Sequence, residues 1–149
     1  MALDYNLYIC SPKTEEQIVH ALMRAGNFDR HEKDLIARGL VATVSDVHPV
    51  TQELIYDEFR IKPSISVLFT VDKDLTPEIV NELVRILLTF LKEEAGDAIF
   101  TFSGEGPLLF RKGADFILNQ NIADFWTADR LGEFFGEYKF EPLPALWTI

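Results

Sequence analysis

The side chains of this sequence that could do covalent chemistry are few and lie far apart. The thiol of the single cysteine, Cys10, could act as a nucleophile if a histidine lay beside it. No Cys-His signature surrounds this residue, and free cysteines are commonly core residues, so a small buried thiol is the favoured interpretation. An active site needs titratable groups that converge, and the sequence shows no such constellation. We therefore predict no catalytic residues and expect that the protein is not an enzyme.

Residues that could bind a metal ion are equally scattered. His20, His31 and His48 share no metal-ligand spacing. Glu16 and His20 have the i, i+4 separation that places two ligands on one face of a helix, but the sequence offers no second pair to complete a site. The sequence therefore predicts no metal ion and no cofactor.

The chain is strongly acidic, with 24 Asp and Glu against 14 Lys and Arg and a formal net charge of −10. Such a field repels nucleic acid and anionic membranes, and it speeds the encounter with a basic partner. We therefore expect neither a nucleic-acid nor a membrane partner. The alternative interpretation is that the acidity serves only solubility, and net charge alone does not decide between the two.

A protein that acts by binding should expose acid and large aromatic side chains. One acidic group lies on a short helix predicted around residue 55, and a second lies at the end of a long helix predicted from residue 76. Tryptophan is favoured at the anchor positions of interfaces. Trp126 is more simply a core residue, whereas Trp147, the third residue from the end, either caps the second face of the sheet or contacts a partner. The candidate partner-binding residues are Glu53, Asp57, Glu58, Glu93, Glu94 and Trp147.

Length and composition describe a folded single domain that spans residues 1–149. The hydrophobic content is 48% and the aromatic content 12%, which is typical of a globular protein and far from a disordered one. No apolar run approaches the 18 or so residues that a membrane span requires. The first residues lack the features of a signal peptide, and the lone cysteine cannot form an internal disulfide. These features favour the cytoplasm.

The first half of the chain predicts alternating strands and helices. Alternation of apolar and polar residues from Leu3 to Ile9 indicates a half-buried strand. Thr14 to Gln17 fits a capping box at the start of a helix that ends near Gly26. Leu40 to Val47 indicates a second strand, after a charged loop or edge at residues 28–34. A short helix from Thr51 to Phe59, opened by the Thr51 cap, is predicted to turn Leu54, Ile55 and Phe59 inward.

The middle of the chain carries the strongest pattern. Ser64 to Asp72 alternates β-branched and aromatic residues, as an interior strand does. Thr76 to Glu94 predicts a long helix with one narrow polar stripe, so its wide apolar arc needs cover on more than one side. Further strands follow near residues 99–102, 108–110 and 115–119, and an extended tail ends the chain. The predicted class is α+β, a two-layer sandwich of a mainly antiparallel sheet and two main helices, with a split β-α-β (ferredoxin-like) core and a C-terminal hairpin extension.

Several short segments occur in a recognisable order. They are Met1 to Tyr8, Val67-Leu68-Phe69 with Asp72-Lys73, Gly96-Asp97-Ala98, Ser103-Gly104-Glu105, Leu118-Asn119, Phe125-Trp126-Thr127 and Leu143 to Leu146. On these segments the chain resembles the bacterial swarming-inhibition (Sit) immunity protein family. Residues 26–62 resemble the family less clearly, and Phe134-Phe135-Gly136 departs from a more proline-rich family segment.

This resemblance implies a cytoplasmic protein that binds and neutralises a cognate bacterial toxin, which the acidic charge suggests is basic. It implies no catalytic residues. Two other classes stay open from the residues alone. One is a small enzyme of unidentified chemistry, and the other is a structural module that forms oligomers through its acidic C-terminal half. The sequence does not give the oligomeric state or the activity of the toxin.

Overall fold

The computed structural model describes residues 2–103, 106–132 and 137–145 of the chain, without the side chains of residues 2, 75 and 76. Within these residues, nine strands form a single open sheet. The strands are β1 (Ala2–Ile9), β2 (Asp29–His31), β3 (Asp34–Ala37), β4 (Leu40–Asp46), β5 (Ile65–Asp72), β6 (Ala98–Phe102), β7 (Gly106–Lys112), β8 (Asp115–Asn119) and β9 (Lys139–Glu141).

Four α-helices and two 3₁₀ segments of the described residues connect these strands. The α-helices are α1 (Glu15–Ala25), α2 (Pro49–Phe59), α3 (Thr76–Glu93) and α4 (Ala128–Leu131), and the 3₁₀ segments are Lys73–Leu75 and Gln120–Phe125. The predicted capping box of α1 is confirmed, because the Gln17 amide donates to the Thr14 hydroxyl at 3.2 Å and the Thr14 amide donates to the Gln17 side chain at 2.9 Å.

The sheet is mixed but mostly antiparallel. The strand order is β2-β3-β4-β5-β1-β6-β7-β8-β9, and every neighbouring pair is antiparallel except β8 and β9. The predicted α+β class with a mainly antiparallel sheet is confirmed. The ferredoxin-like description of the core stays a prediction, which the neighbour order β6-β1-β5-β4 supports.

The first face of the sheet carries α1 and α3 and holds the main core. The predicted interior strand β5 alternates as expected, with Ile65, Val67, Phe69 and Val71 buried. The wide apolar arc of α3 is covered by the sheet and by α1, with further packing from α4. Burial of apolar surface at about 25 cal/mol per Å² makes this layer the dominant source of folding free energy.

The second face of the sheet carries α2, which lies opposite the other main helices. Tyr8, Ile99 and Phe110 stand side by side across β1, β6 and β7 on this face, and they form a smaller apolar cluster with Ile55 and Phe59 of α2. The side-chain direction alternates along each strand, so the same three strands that build the main core also seat α2.

Two details of α2 differ from the sequence prediction. The helix begins at Pro49 rather than at Thr51, because His48 caps it by accepting the Val50 amide at its Nδ1 at 3.2 Å. Leu54 was expected inward with Ile55 but is 42% exposed, because consecutive helical residues point about 100° apart and the buried direction is fixed by Ile55 and Phe59.

The sheet has more strands than the periodicity of the sequence predicts. The charged segment expected as a loop or edge forms the antiparallel pair β2 and β3 at one end of the sheet, and β2 is exposed along its whole length. At the other end, the tail that was predicted to be extended pairs with β8 as the short parallel strand β9.

The carboxyl end of α3 is closed by a side chain from β7. The Arg111 guanidinium donates to the carbonyl oxygens of Leu91 at 2.6 Å, Glu94 at 2.6 Å and Gly96 at 2.8 Å. Carbonyls at a helix end otherwise have no intrahelical donor, and a cation is favourable there. Burial lowers the pKa of Arg111, while the Asp97 charge opposes this effect, and a guanidinium remains charged throughout.

Gly96 lets β1 approach this helix end. Its φ is +135°, in the region that favours glycine, and a Cβ added there would lie 2.2 Å from the carbonyl oxygen of Cys10. That oxygen belongs to the backbone, so it cannot move aside without displacing β1. The backbone of this junction is tied further by the Cys10 amide, which donates to the Asp97 carbonyl at 2.8 Å.

Replacing Gly96 by alanine should therefore lower the free energy of unfolding by at least about 2 kcal/mol, because the strained backbone and the contact with the Cys10 carbonyl act together. Urea denaturation followed by circular dichroism measures the change. The matched control is Gly106→Ala, since a Cβ there would meet no atom within 4 Å, and it should change stability by less than about 1 kcal/mol. Equal stability of the two variants would show that the junction tolerates a side chain.

Candidate partner-binding surface

Three side chains, those of Gln52, Ile55 and Phe59, hold helix α2 against the rest of the molecule. Ile55 and Phe59 are its buried residues, and the Phe59 ring packs on Phe110 with centroids 4.9 Å apart. The Gln52 side chain donates to the Pro63 carbonyl at 2.9 Å, which ties the helix to the segment before β5. Pro49 suits the first helical position because its missing amide hydrogen would have no partner there. The helix is therefore anchored along one side only.

The opposite side of α2 exposes large apolar side chains. Val50 is 60% exposed and Leu54 is 42% exposed, and these are the two highest values among the large hydrophobic residues of the described chain. Residues at i, i+3, i+4 and i+7 share one face of a helix. Val50, Glu53, Leu54 and Asp57 have this spacing and lie opposite Ile55 and Phe59, and we call these four residues the α2 outer face.

The carboxylates of α2 are free of ion pairs with any residue that the structure describes. Glu53, Asp57 and Glu58 are all exposed. Glu53 and Asp57 are one turn apart, where like charges repel, and Asp57 and Glu58 lie in the last turn, where the helix dipole disfavours negative charge. Three of the predicted partner-binding residues are thus brought together on one helix, at a small cost to its own stability.

A basic flank borders this surface. The Arg60 guanidinium carbon lies 5.3 Å from the centre of the Tyr56 ring, and the Lys62 ammonium lies 4.9 Å from it. Both distances fit cation–π contacts. Tyr56 is itself 37% exposed. The helix therefore shows acid with aliphatic side chains along its outer face, and an aromatic ring with two cations along one flank.

The acidic residues at the end of α3 differ from those of α2, because they interact with other residues of the fold. Glu93 is exposed and lies 3.8 Å from Arg24 of α1. Glu94 was expected on the exposed surface, but this expectation is wrong: it is only 3% exposed, and its carboxylate lies 2.5 Å from the Lys13 ammonium. Asp97 accepts the Gly113 amide at 2.9 Å. This group lies with the helices of the first face, whereas α2 lies on the second.

The structure tests the prediction for one of the two tryptophans. Trp126 is buried, and its indole nitrogen donates to the Leu108 carbonyl at 2.8 Å, so its predicted core role is confirmed. Trp147 lies outside the described residues, and its predicted contact with a partner stays a prediction.

The residues considered for chemistry remain apart. Cys10 is half-buried beside the smaller apolar cluster, and burial raises the pKa of its thiol, with the Asp97 charge acting in the same direction. His20 pairs with Glu16 at 3.0 Å on the surface of α1, while His48 caps α2. Among residues 2–103, 106–132 and 137–145, no group of three potential metal ligands comes together.

The sequence missed the apolar part of the α2 surface. It identified the carboxylates but placed Leu54 inward, and it gave Val50 and Tyr56 no role. Ile55 and Phe59 have the same i, i+4 spacing as Val50 and Leu54, so the sequence pattern alone does not show which of the two pairs faces the sheet. No α-helix in the described part of the chain has the length and apolar content needed to cross a membrane.

Comparison with known proteins identifies a family to which the chain is similar. A family model described as SitI3-like matches residues 3–130, which include β1 except its first residue and all of β2 to β8 and α1 to α3. No curated protein and no solved structure matches the chain.

The raised pKa of Cys10 predicts a slowly reacting thiol. The thiolate is the reactive form, so a higher pKa leaves less of it at a given pH. At pH 8 the folded protein should react with iodoacetamide several-fold more slowly than the same chain unfolded in urea, and the difference should narrow as the pH rises. A folded protein that reacts faster than the unfolded chain would indicate an activated nucleophile and would favour the enzyme class.

Proposed function

This chain belongs to the SitI3-like family of immunity proteins, and from that membership we propose that it binds a cognate bacterial toxin and neutralises it. The match to residues 3–130 is the single observation that carries the proposal. Neutralisation by binding requires a shaped surface and no reaction. The dispersed titratable groups of the described residues are compatible with this mode of action.

The proposed toxin presents a basic surface to the chain. Glu53, Asp57 and Glu58 on α2 are exposed carboxylates without an ion pair among the described residues, and Glu93 is a further exposed candidate. Clustered carboxylates accelerate the approach of a basic protein through long-range attraction. Glu94 is omitted from the proposed contact because it is buried against Lys13.

The proposed setting is the cytoplasm of the cell that makes both proteins, where residues 1–149 act as a single domain. An immunity protein must meet its toxin before the toxin meets its target, so rapid association is a functional requirement. The net charge of −10 would serve this requirement. Steered association reaches about 10⁸–10⁹ M⁻¹s⁻¹ at low salt, against about 10⁵–10⁶ M⁻¹s⁻¹ without steering.

Co-expression tests the proposal directly. The toxin candidate is the protein encoded by a toxin-like reading frame directly beside the gene for this chain. Expressed alone it should arrest growth of a host that lacks both genes, and growth should be restored when this chain is co-expressed. The two proteins should then co-purify through an affinity tag on either one. Unchanged toxicity in the presence of correctly folded chain would remove the proposed function.

The steering charges can be located with neutral substitutions. The triple variant Glu53→Gln, Asp57→Asn and Glu58→Gln should lower the association rate constant by about tenfold at low salt and reduce its salt dependence. Stopped-flow fluorescence against the purified toxin measures both quantities.

The control for this variant removes the same charge elsewhere. Asp29, Glu32 and Asp124 are exposed and free of ion pairs with described residues, and the variant Asp29→Asn, Glu32→Gln and Asp124→Asn has the same net charge as the α2 variant. It should retain most of the wild-type association rate. Equal losses in the two variants would mean that overall charge, rather than α2, steers the encounter.

A further inference from the structure

The exposed apolar residues of α2 require a separate explanation from its charges. Single exposed hydrophobic residues are ordinary on protein surfaces. Here Val50 and Leu54 are adjacent on one face, one helical turn apart, and they are exposed more than any other large hydrophobic residue that the structure describes. They also lie on the line of the helix that is farthest from the sheet, opposite Ile55 and Phe59.

The pattern of the α2 outer face departs from what favours a solvated helix. Surface helices gain stability from i, i+4 pairs of opposite charge and from cations in the last turn. This helix has like charges at Glu53 and Asp57, and it has no basic residue in its last turn. Departures from these stabilising charge patterns are expected mainly at functional sites. Val50 and Leu54 occupy positions i and i+4, which are among the apolar anchor positions of a helix that binds in a groove.

We infer that the α2 outer face inserts into an apolar groove on the toxin whose rim carries lysine or arginine. This inference rests on the proposed function and specifies its surface. Val50 and Leu54 would supply the apolar anchors, and Glu53 and Asp57 beside them would meet the basic rim. Charge complementarity identifies the occupant, because the two anchors lie among three exposed carboxylates that form no ion pair with any described residue.

The basic flank of α2 would determine how the toxin groove is oriented on the helix. Arg60 and Lys62 lie over Tyr56 on one side of the helix only. A basic rim is repelled from that side and attracted to the outer face. The groove is therefore basic on the rim that meets Glu53 and Asp57, and it is neutral or acidic on the rim that meets Tyr56.

A second copy of this chain fits the surface less well. Where two α2 outer faces pack so that Glu53 and Asp57 of one copy meet the same carboxylates of the other, like charges lose their water against each other. Desolvated like charges across an interface are strongly unfavourable. The toxin is therefore the occupant that the charges favour.

The experiment separates the anchors from the charges. The double variant Val50→Ala and Leu54→Ala keeps every charge and leaves Ile55 and Phe59 in place. The control variant is Met23→Ala and Ile36→Ala, which shortens two other large hydrophobic residues, each 38% exposed. Binding of each to the toxin purified from the co-expressed complex is measured by surface plasmon resonance. Circular dichroism and the urea midpoint establish that each variant is folded.

The α2 double variant should raise Kd by at least about tenfold, mostly through faster dissociation, because apolar anchors act after the encounter. The control variant should bind as the wild type does. Hydrogen exchange of the complex should show added protection at residues 49–59. A wild-type Kd for the double variant, with rescue of growth intact, would overturn the groove inference and leave the proposed function standing.

Two other outcomes would also overturn the inference. Failure of the wild-type chain to bind or to rescue would remove the proposed function and the groove with it. Sedimentation of the chain alone as a dimer, with the Val50 and Leu54 variant as a monomer, would show that a second copy covers the face.

Discussion

The structure depends on the junction at the carboxyl end of α3, where the helix meets the end of β1, the start of β6 and a side chain from β7. The helix must stop where the chain turns into β6, and its last carbonyls would be buried without donors. Arg111 reaches from β7 to supply three N–H groups, and Gly96 gives the Cys10 carbonyl the space that a side chain would fill. An unpaired buried carbonyl costs about 1–3 kcal/mol, so the fold holds these elements together at this point.

This junction also determines which acidic residues remain available to a partner. Glu94 pairs with Lys13 and Asp97 accepts the Gly113 amide, so these two carboxylates serve the fold. The α2 carboxylates have no such role, and α2 itself is held by a small cluster on the far side of the sheet. The same nine strands therefore separate a structural acidic group from one that is free to act in recognition.

The sequence predicted the parts of this arrangement that rest on local periodicity. The alternation of β5, the apolar arc of α3 and the capping box of α1 each depend only on residues that are close together in the sequence. It missed β2, β3 and β9 as strands because three or four charged or tail residues carry no measurable period. Burial of Glu94 could not be predicted, since it depends on Lys13, which is 81 residues away in the chain. The side of the sheet on which α2 lies is likewise a tertiary property.

An open sheet carries the hazard that its edge can template the addition of further strands, ending in insoluble fibrils. The edge formed by β2 limits this hazard by being brief and charged, with Asp29, Arg30 and His31 all exposed. Arg30 is drawn back toward Glu16 of α1, which places a bulky salt bridge beside the edge. An incoming strand would find three residues to pair with and ionic side chains in its way. A protein so protected at this edge can accumulate to a high concentration without polymerising there.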